Sequence, residues 1–218
     1  MFNENGLKPN DTFLSGHPMV EVEKPSISIL GLGYVGAVST ACFSERGHRV
    51  IGVDPDETKV SILNLGQSPI VEEGLGDLLL KGVSRGNLTA ITDTVEAVKQ
   101  TDITFVSVGT PTDADGVCQL GYLETASEQI GEAIRDKEDY HLIVYRSTVP
   151  PKTTRDVMIP ILEASSGKQS GKDFGVCFNP EFLRESTAIQ DFYAPPKTVI
   201  GAIDTRSSEY AAKLYEGI

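Results

Sequence analysis

The stretch Ile29-Leu-Gly-Leu-Gly-Tyr-Val-Gly36 decides the fold. An apolar run, Ile27 to Leu30, leads into Gly31, Gly33 and Gly36 at G-x-G-x-x-G spacing. A helix-like stretch from Tyr34 to Arg46 follows and stops at Gly47. A second apolar run, Arg49 to Val53, closes on Asp54, eighteen residues after the last glycine. Strand, glycine turn, helix, strand and acid in that order make a dinucleotide-binding unit.

Each residue type has a physical task. Gly31 permits the tight strand-to-helix turn, Gly33 lets backbone approach a pyrophosphate, and Gly36 lets helix and strand pack closely. The pyrophosphate then meets unpaired N–H groups, those of Tyr34 and Val35 among them, at the positive end of a helix dipole. Asp54 is placed to accept hydrogen bonds from the adenosine ribose. A 2′-phosphate would face Asp54 with Asp56 and Glu57 close by in sequence, which favours NAD over NADP. Lys59 is the one nearby cation and pulls the other way.

The rest of the chain sets bounds. At 218 residues it exceeds the usual size of one domain. The net charge of −12 argues against a nucleic-acid partner. Cys42, Cys118 and Cys177 are scattered without C-x-x-C spacing, so no disulfide framework is expected and a reducing cytoplasm is the natural setting. No apolar run reaches membrane length, so no membrane association is expected. Residues 1–25 read as a disordered N-terminal tail, with Met19 a possible alternative start, and 26–218 as the NAD-binding domain.

Apolar runs at Ile27–Leu30, Val50–Val53, Ile103–Val108 and Leu142–Tyr145 predict buried parallel strands, with shorter candidates at Val176–Phe178 and Thr198–Ile203. Between them lie helix-like segments at Thr58–Leu65, Leu75–Val83, Thr94–Lys99, Leu123–Ile134, Thr153–Leu162 and Arg206–Glu216, with Pro160 expected to kink its helix. This alternation predicts an α/β fold: a doubly wound parallel sheet of Rossmann type. Ligands in such sheets bind beyond the carboxyl ends of the strands. Those ends carry Gly31–Gly36, Asp54, Gly109-Thr110-Pro111-Thr112, Arg146-Ser-Thr148-Val-Pro-Pro151 and Asn179-Pro-Glu181.

Asn179-Pro-Glu-Phe-Leu-Arg-Glu-Ser186 is the second informative stretch. Asn179 resembles a helix cap and Pro180 suits a first helical position, which would set Glu181 and Glu185 on one helix face. Two such carboxylates repel, and one raised pKa would make an acid or base usable near neutral pH. The same pattern also describes a solvated helix start, with Arg184 as counter-charge. The Thr148 hydroxyl could orient a water or a cofactor amide, or simply cap a turn before the prolines. His17, His48 and His141 form no ligand cluster, so no metal is expected. Ser147 and Ser186 lack a paired histidine.

Taken together, these segments resemble the UDP-glucose/GDP-mannose dehydrogenase family in its N-terminal NAD-binding domain. The matching stretches are Gly31-Leu-Gly-Tyr-Val-Gly36, Gly52-Val-Asp54, Ser68-Pro-Ile-Val-Glu72, Val108-Gly-Thr-Pro111, Arg146-Ser-Thr-Val-Pro150 and Asn179-Pro-Glu-Phe-Leu-Arg-Glu185. Glu72-Glu73-Gly74 stands where the family usually reads Glu-Pro-Gly. Arg184-Glu-Ser-Thr-Ala-Ile189 and the Ser166-Gly-Lys insertion are more similar to members acting on GDP-mannose than on UDP-glucose.

The resemblance implies two successive NAD-dependent oxidations at carbon 6 of a nucleotide sugar. It implies that Asp54 and Lys59 serve the adenosine ribose, and that Gly109, Thr110 and Pro111 form a cofactor-side turn. Thr148 would position the hydrolytic water near the nicotinamide. Glu181 would act in water activation or proton transfer, and Glu185 would lie against the nicotinamide end and the sugar. Phe182, Leu183 and Arg184 would line the substrate side. Full-length members would assemble as dimers or larger. The family's nucleophilic cysteine lies in a Gly-Gly-x-Cys segment further downstream, and none of Cys42, Cys118 and Cys177 has that context. The chain alone is therefore expected to bind NAD without full turnover. The alternative is a stand-alone NAD-binding module, or a degenerate gene product without catalysis. Tyr210, Leu214 and Ile218 are expected to form an exposed apolar face on the last helix.

Overall fold

Strand β1 (Ile27–Leu30) is buried at every position and lies inside the sheet. A computed structural model describes residues 24–218; the expected tail lies outside the described residues, apart from Lys24 and Pro25. From β1 the chain passes through α1 (Tyr34–Glu45), β2 (Val50–Val53), α2 (Glu57–Asn64), α3 (Leu75–Arg85), β3 (Leu88–Ile91), α4 (Thr94–Lys99) and β4 (Ile103–Val106). It continues through α5 (Gly121–Arg135), β5 (His141–Tyr145), α6 (Ile159–Ser166), β6 (Phe174–Phe178), α7 (Ala188–Tyr193), β7 (Gly201–Ala202) and α8 (Thr205–Lys213).

The strand order is β3-β2-β1-β4-β5-β6-β7. All neighbours pair in parallel except β6 and β7. The order reverses between β1 and β4, and a crevice opens there at the carboxyl ends of the strands. The sheet is covered on both faces. Ile27, Ile29, Phe105, Leu142 and Val144 pack with Phe43 of α1 and with α3, α7 and α8. Leu30, Val106, Ile143 and Tyr145, one residue out of phase, pack with α4, α5 and α6 on the other face.

The expected doubly wound parallel sheet is present, with three differences. The candidate strand Thr198–Ile203 reduces to Gly201–Ala202 and runs antiparallel at the edge. β3 was not foreseen: it is only four residues long, and its pattern is half exposed. The last helix does not leave an apolar face bare. Leu214 is buried, and Tyr210 and Ile218 pack partly against the same cluster.

Pro160 behaves as expected of a residue without an N–H. It stands at the start of α6, and the turn before it, Thr154–Met158, widens to a π-helix.

Candidate dinucleotide site

The three glycines answer to two different demands. Gly31 has φ +91°, and a Cβ there would lie 2.7 Å from the Ser107 carbonyl oxygen. A Cβ on Gly36 would lie 1.7 Å from the Gly31 carbonyl oxygen. Both positions exclude a side chain for reasons internal to the fold. Gly33 is different, because nothing lies within 4 Å of where its Cβ would be. It begins α1 with no side-chain cap, so the first-turn N–H groups have no partner from that side. The space in front of Gly33 belongs to a cleft of about 830 Å³ at the β1/β4 switch point. That is a suitable size for a cofactor.

Asp54 closes β2 beside this turn and is 5% exposed. Its Oδ2 accepts from Leu32 N at 2.8 Å and from Lys59 Nζ at 3.2 Å, and its Oδ1 accepts from Asp56 N at 3.0 Å. A carboxylate offers about four acceptor positions. Three are used inside the protein, which leaves capacity for a ribose hydroxyl. Asp56 caps α2 through Thr58 N, two residues from Asp54. The donor set, the open glycine and the free acceptor capacity fit NAD.

The cleft gathers most of the residues that the sequence singles out. Gly31, Gly33, Tyr34, Val35, Asp54, Lys59, Gly109, Thr110, Thr148 and Glu181 line it. The Thr110 hydroxyl donates to the Thr148 carbonyl at 2.8 Å, and the Ser147 hydroxyl donates to the Val108 carbonyl at 2.6 Å. These bonds tie the loop after β4 to the loop after β5. Glu181 is half-buried and lines the same cleft as Thr148. Gly36 lies buried beneath the turn, and Pro111 is exposed outside the cleft. Phe182 and Leu183 line a separate small recess with Arg146, Asn179 and Tyr215.

The expected helix from Asn179 to Glu185 does not form. Asn179 is buried, and its amide is spent on tertiary partners: Nδ2 donates to the Val199 carbonyl at 2.8 Å and Oδ1 accepts from the Tyr215 hydroxyl. It therefore caps nothing downstream. The segment runs irregularly to Ser186, which has φ +72°, and α7 starts only at Ala188. Glu181 and Glu185 consequently share no helix face. Glu181 lies in the cleft, whereas Glu185 is exposed beside it. Arg184 does not counter either glutamate. Its guanidinium and its backbone N–H both bind Asp191, and this pairing holds the Asp191 carboxyl down at about 2.

Three important residues carry roles that the sequence did not assign, although Glu72 and Arg146 fall within stretches it singled out. Glu72 bonds Tyr34, Ser186 and Ala188 from a loop far away in sequence. Asp191 anchors Arg184. Arg146, 6% exposed, lies over the Phe105 ring at 5.7 Å and lines the cleft. The Tyr34 hydroxyl turns to Glu72, and the residue lines the cleft. None of the three cysteines lines the cleft, and burial pushes the Cys42 and Cys177 thiols up to about 12.

A model of the UDP-glucose/GDP-mannose dehydrogenase family, NAD binding domain, matches residues 25–218. The chain belongs to this family. It is 54% identical to the GDP-mannose 6-dehydrogenase of Pseudomonas syringae pv. syringae over 190 residues, 87% of this chain and 43% of the relative. It matches the crystal structure of a ternary complex of GDP-mannose dehydrogenase from Pseudomonas aeruginosa with a TM-score of 0.87 at 52% identity, covering 88% of this chain and 44% of that one. It matches a UDP-glucose dehydrogenase from Pyrobaculum islandicum with a TM-score of 0.86 at 40% identity, covering 93% and 46%. The chain thus spans less than half the length of these relatives. Among the described residues no helix is long and apolar enough to cross a membrane.

Proposed function

We propose that this chain is the cofactor-binding part of a nucleotide-sugar 6-dehydrogenase, with GDP-mannose, oxidised to GDP-mannuronate, as its substrate. UDP-glucose, oxidised to UDP-glucuronate, stands second because the relative acting on it is less similar. The observation that carries the cofactor assignment is the pairing of an open Gly33 with a nearly satisfied Asp54 across one cleft.

The turn Gly31–Gly36, with the backbone of Tyr34 and Val35, holds the pyrophosphate. Asp54 and Lys59 hold the adenosine ribose. Gly109 and Thr110 shape the passage toward the nicotinamide, with Pro111 behind them outside the cleft, and Thr148 and Glu185 bound that end. Bound NAD supplies the hydride acceptor. Thr148 orients the water that enters the second oxidation, and Glu181 moves its proton. Phe182, Leu183 and Arg184 face the sugar side. The covalent thiol step belongs to a residue other than Cys42, Cys118 and Cys177. The whole protein acts in the cytoplasm as a dimer or larger assembly and supplies sugar acids for polysaccharide synthesis.

The test is a chimera in which residues 25–218 replace the matching region of the Pseudomonas syringae relative. It should release two NADH per GDP-mannose, as expected for successive oxidation of alcohol to aldehyde to acid. A folded chimera that binds NADH yet oxidises neither GDP-mannose nor UDP-glucose would overturn the substrate assignment.

A further inference from the structure

Glu185 lies on an irregular segment with no secondary structure of its own, yet the backbone on both sides of it is tied down. On one side Arg184 N donates to Asp191 Oδ2 at 2.9 Å. On the other, Ser186 N lies 2.9 Å from Glu72 Oε2 and 3.0 Å from the Tyr34 hydroxyl, and donates to both. Ala188 N donates to Glu72 Oε1 at 2.8 Å. The Tyr34 hydroxyl itself donates to Glu72.

Glu72 is therefore a junction. One carboxylate accepts from the first residue of α1, from the first residue of α7 and from Ser186 between Glu185 and α7. It stands on the loop before α3, where its carbonyl accepts from Leu75 N at 3.3 Å and Gly74 takes the left-handed conformation at φ +77°. That turn forms although Glu73 replaces the family's usual proline. Tyr34 lines the cleft, so the clamp joins the cofactor side directly to the backbone beside Glu185.

We infer that Glu72 is a positioning residue: its carboxylate pins the Ser186–Ala188 backbone to Tyr34 and thereby fixes where Glu185 reaches the cleft. The premise is the cofactor site proposed above, in which Glu185 meets the nicotinamide end. Burial first, and the bond to Glu72 second, push the Tyr34 hydroxyl up to about 12, so it remains a donor across the working pH range. A left-handed Ser186 is unfavourable for a non-glycine residue, and the two acceptors waiting for its N–H hold it there.

The test is a double-mutant cycle on the 218-residue chain, read by NADH titration and by amide exchange. Glu72→Gln should speed exchange at Ser186 and Ala188 about tenfold, because a hydrogen bond to a charged acceptor is lost, while Ile29 and Phe105 stay protected. Glu185→Gln should weaken NADH binding in the unaltered chain and have little further effect in the Glu72→Gln background. A purely structural Glu72 would give additive losses, and that outcome would overturn the inference alone. Unchanged exchange at Ser186 and Ala188 in Glu72→Gln would do the same. No NADH binding by the unaltered chain would overturn the cofactor assignment and this inference with it. Should Glu72→Gln not fold, Tyr34→Phe takes its place in the cycle, with the same coupling to Glu185 expected through Ser186.

Discussion

At the scale of single residues, the glycine turn separates what the fold needs from what the ligand needs. A methyl group at position 36 would collide with the Gly31 carbonyl, so Gly36→Ala should destabilise the chain by about 3 kcal/mol or more. A methyl group at position 33 meets nothing. Gly33→Ala should leave the unfolding midpoint in urea nearly unchanged while weakening NADH binding at least about tenfold, since the side chain occupies the pyrophosphate's approach. Asp54→Ala combines both effects. It leaves the Leu32 N–H without its acceptor, at a cost of about 1–3 kcal/mol, and it removes the ribose contact. It should also narrow the preference for NAD over NADP, which competition between the two cofactors would measure.

At the scale of elements, the second half of the chain depends on buried polar contacts. His141 at the start of β5 donates from Nε2 to the Thr104 hydroxyl at 2.7 Å, while Nδ1 accepts from Lys137 Nζ at 3.1 Å. The lysine can only donate, which assigns the neutral tautomer. Burial first, and the Lys137 charge second, hold the His141 pKa well below its ordinary value. Below about pH 6.5 the unfolded chain therefore binds a proton that the folded chain refuses. Stability should fall as pH drops from 6.5 toward the depressed folded pKa, by up to about 1.4 kcal/mol per pH unit for this one group. His48, also shifted down by burial, adds to the slope. Urea unfolding at pH 7.5 and 5.5 measures the loss, and His141→Gln should flatten it.

The same scale shows how far the sequence could be read. The β1–α1–β2 unit was legible because its pattern is local: glycine spacing, helix and closing acid follow one another within thirty residues, even though the Gly31 turn is also pressed by the distant Ser107 carbonyl. Thr94–Lys99 was legible as a helix, with its Asp93 cap immediately before it. The Asn179 segment was misread because its cap-like pattern is local while its real partners, Val199 and Tyr215, are distant. Glu72 falls in a stretch the sequence singled out, but its role was hidden for the same reason, since Ser186 lies 114 residues away in the chain. No spacing rule reaches that far. β3 went unseen because a short edge-side strand shows little periodicity.

At the scale of the whole molecule, two apolar layers on one sheet hold a single cleft open at the switch point. Phe43 of α1 is central to one layer, with Phe192 edge-on at 5.1 Å and Phe105 at 5.1 Å. Phe43→Ala should cost about 3–5 kcal/mol and loosen α1 and α7 together, visible as a lower thermal midpoint with weakened NADH binding. This cleft is proposed as an NAD site built around an open Gly33. Calorimetric titration of NADH into the unaltered chain and into Gly33→Ala tests it most directly. The account predicts saturable one-to-one binding by the unaltered chain and its loss in Gly33→Ala. No binding at millimolar NADH, or equal binding by both, would contradict it.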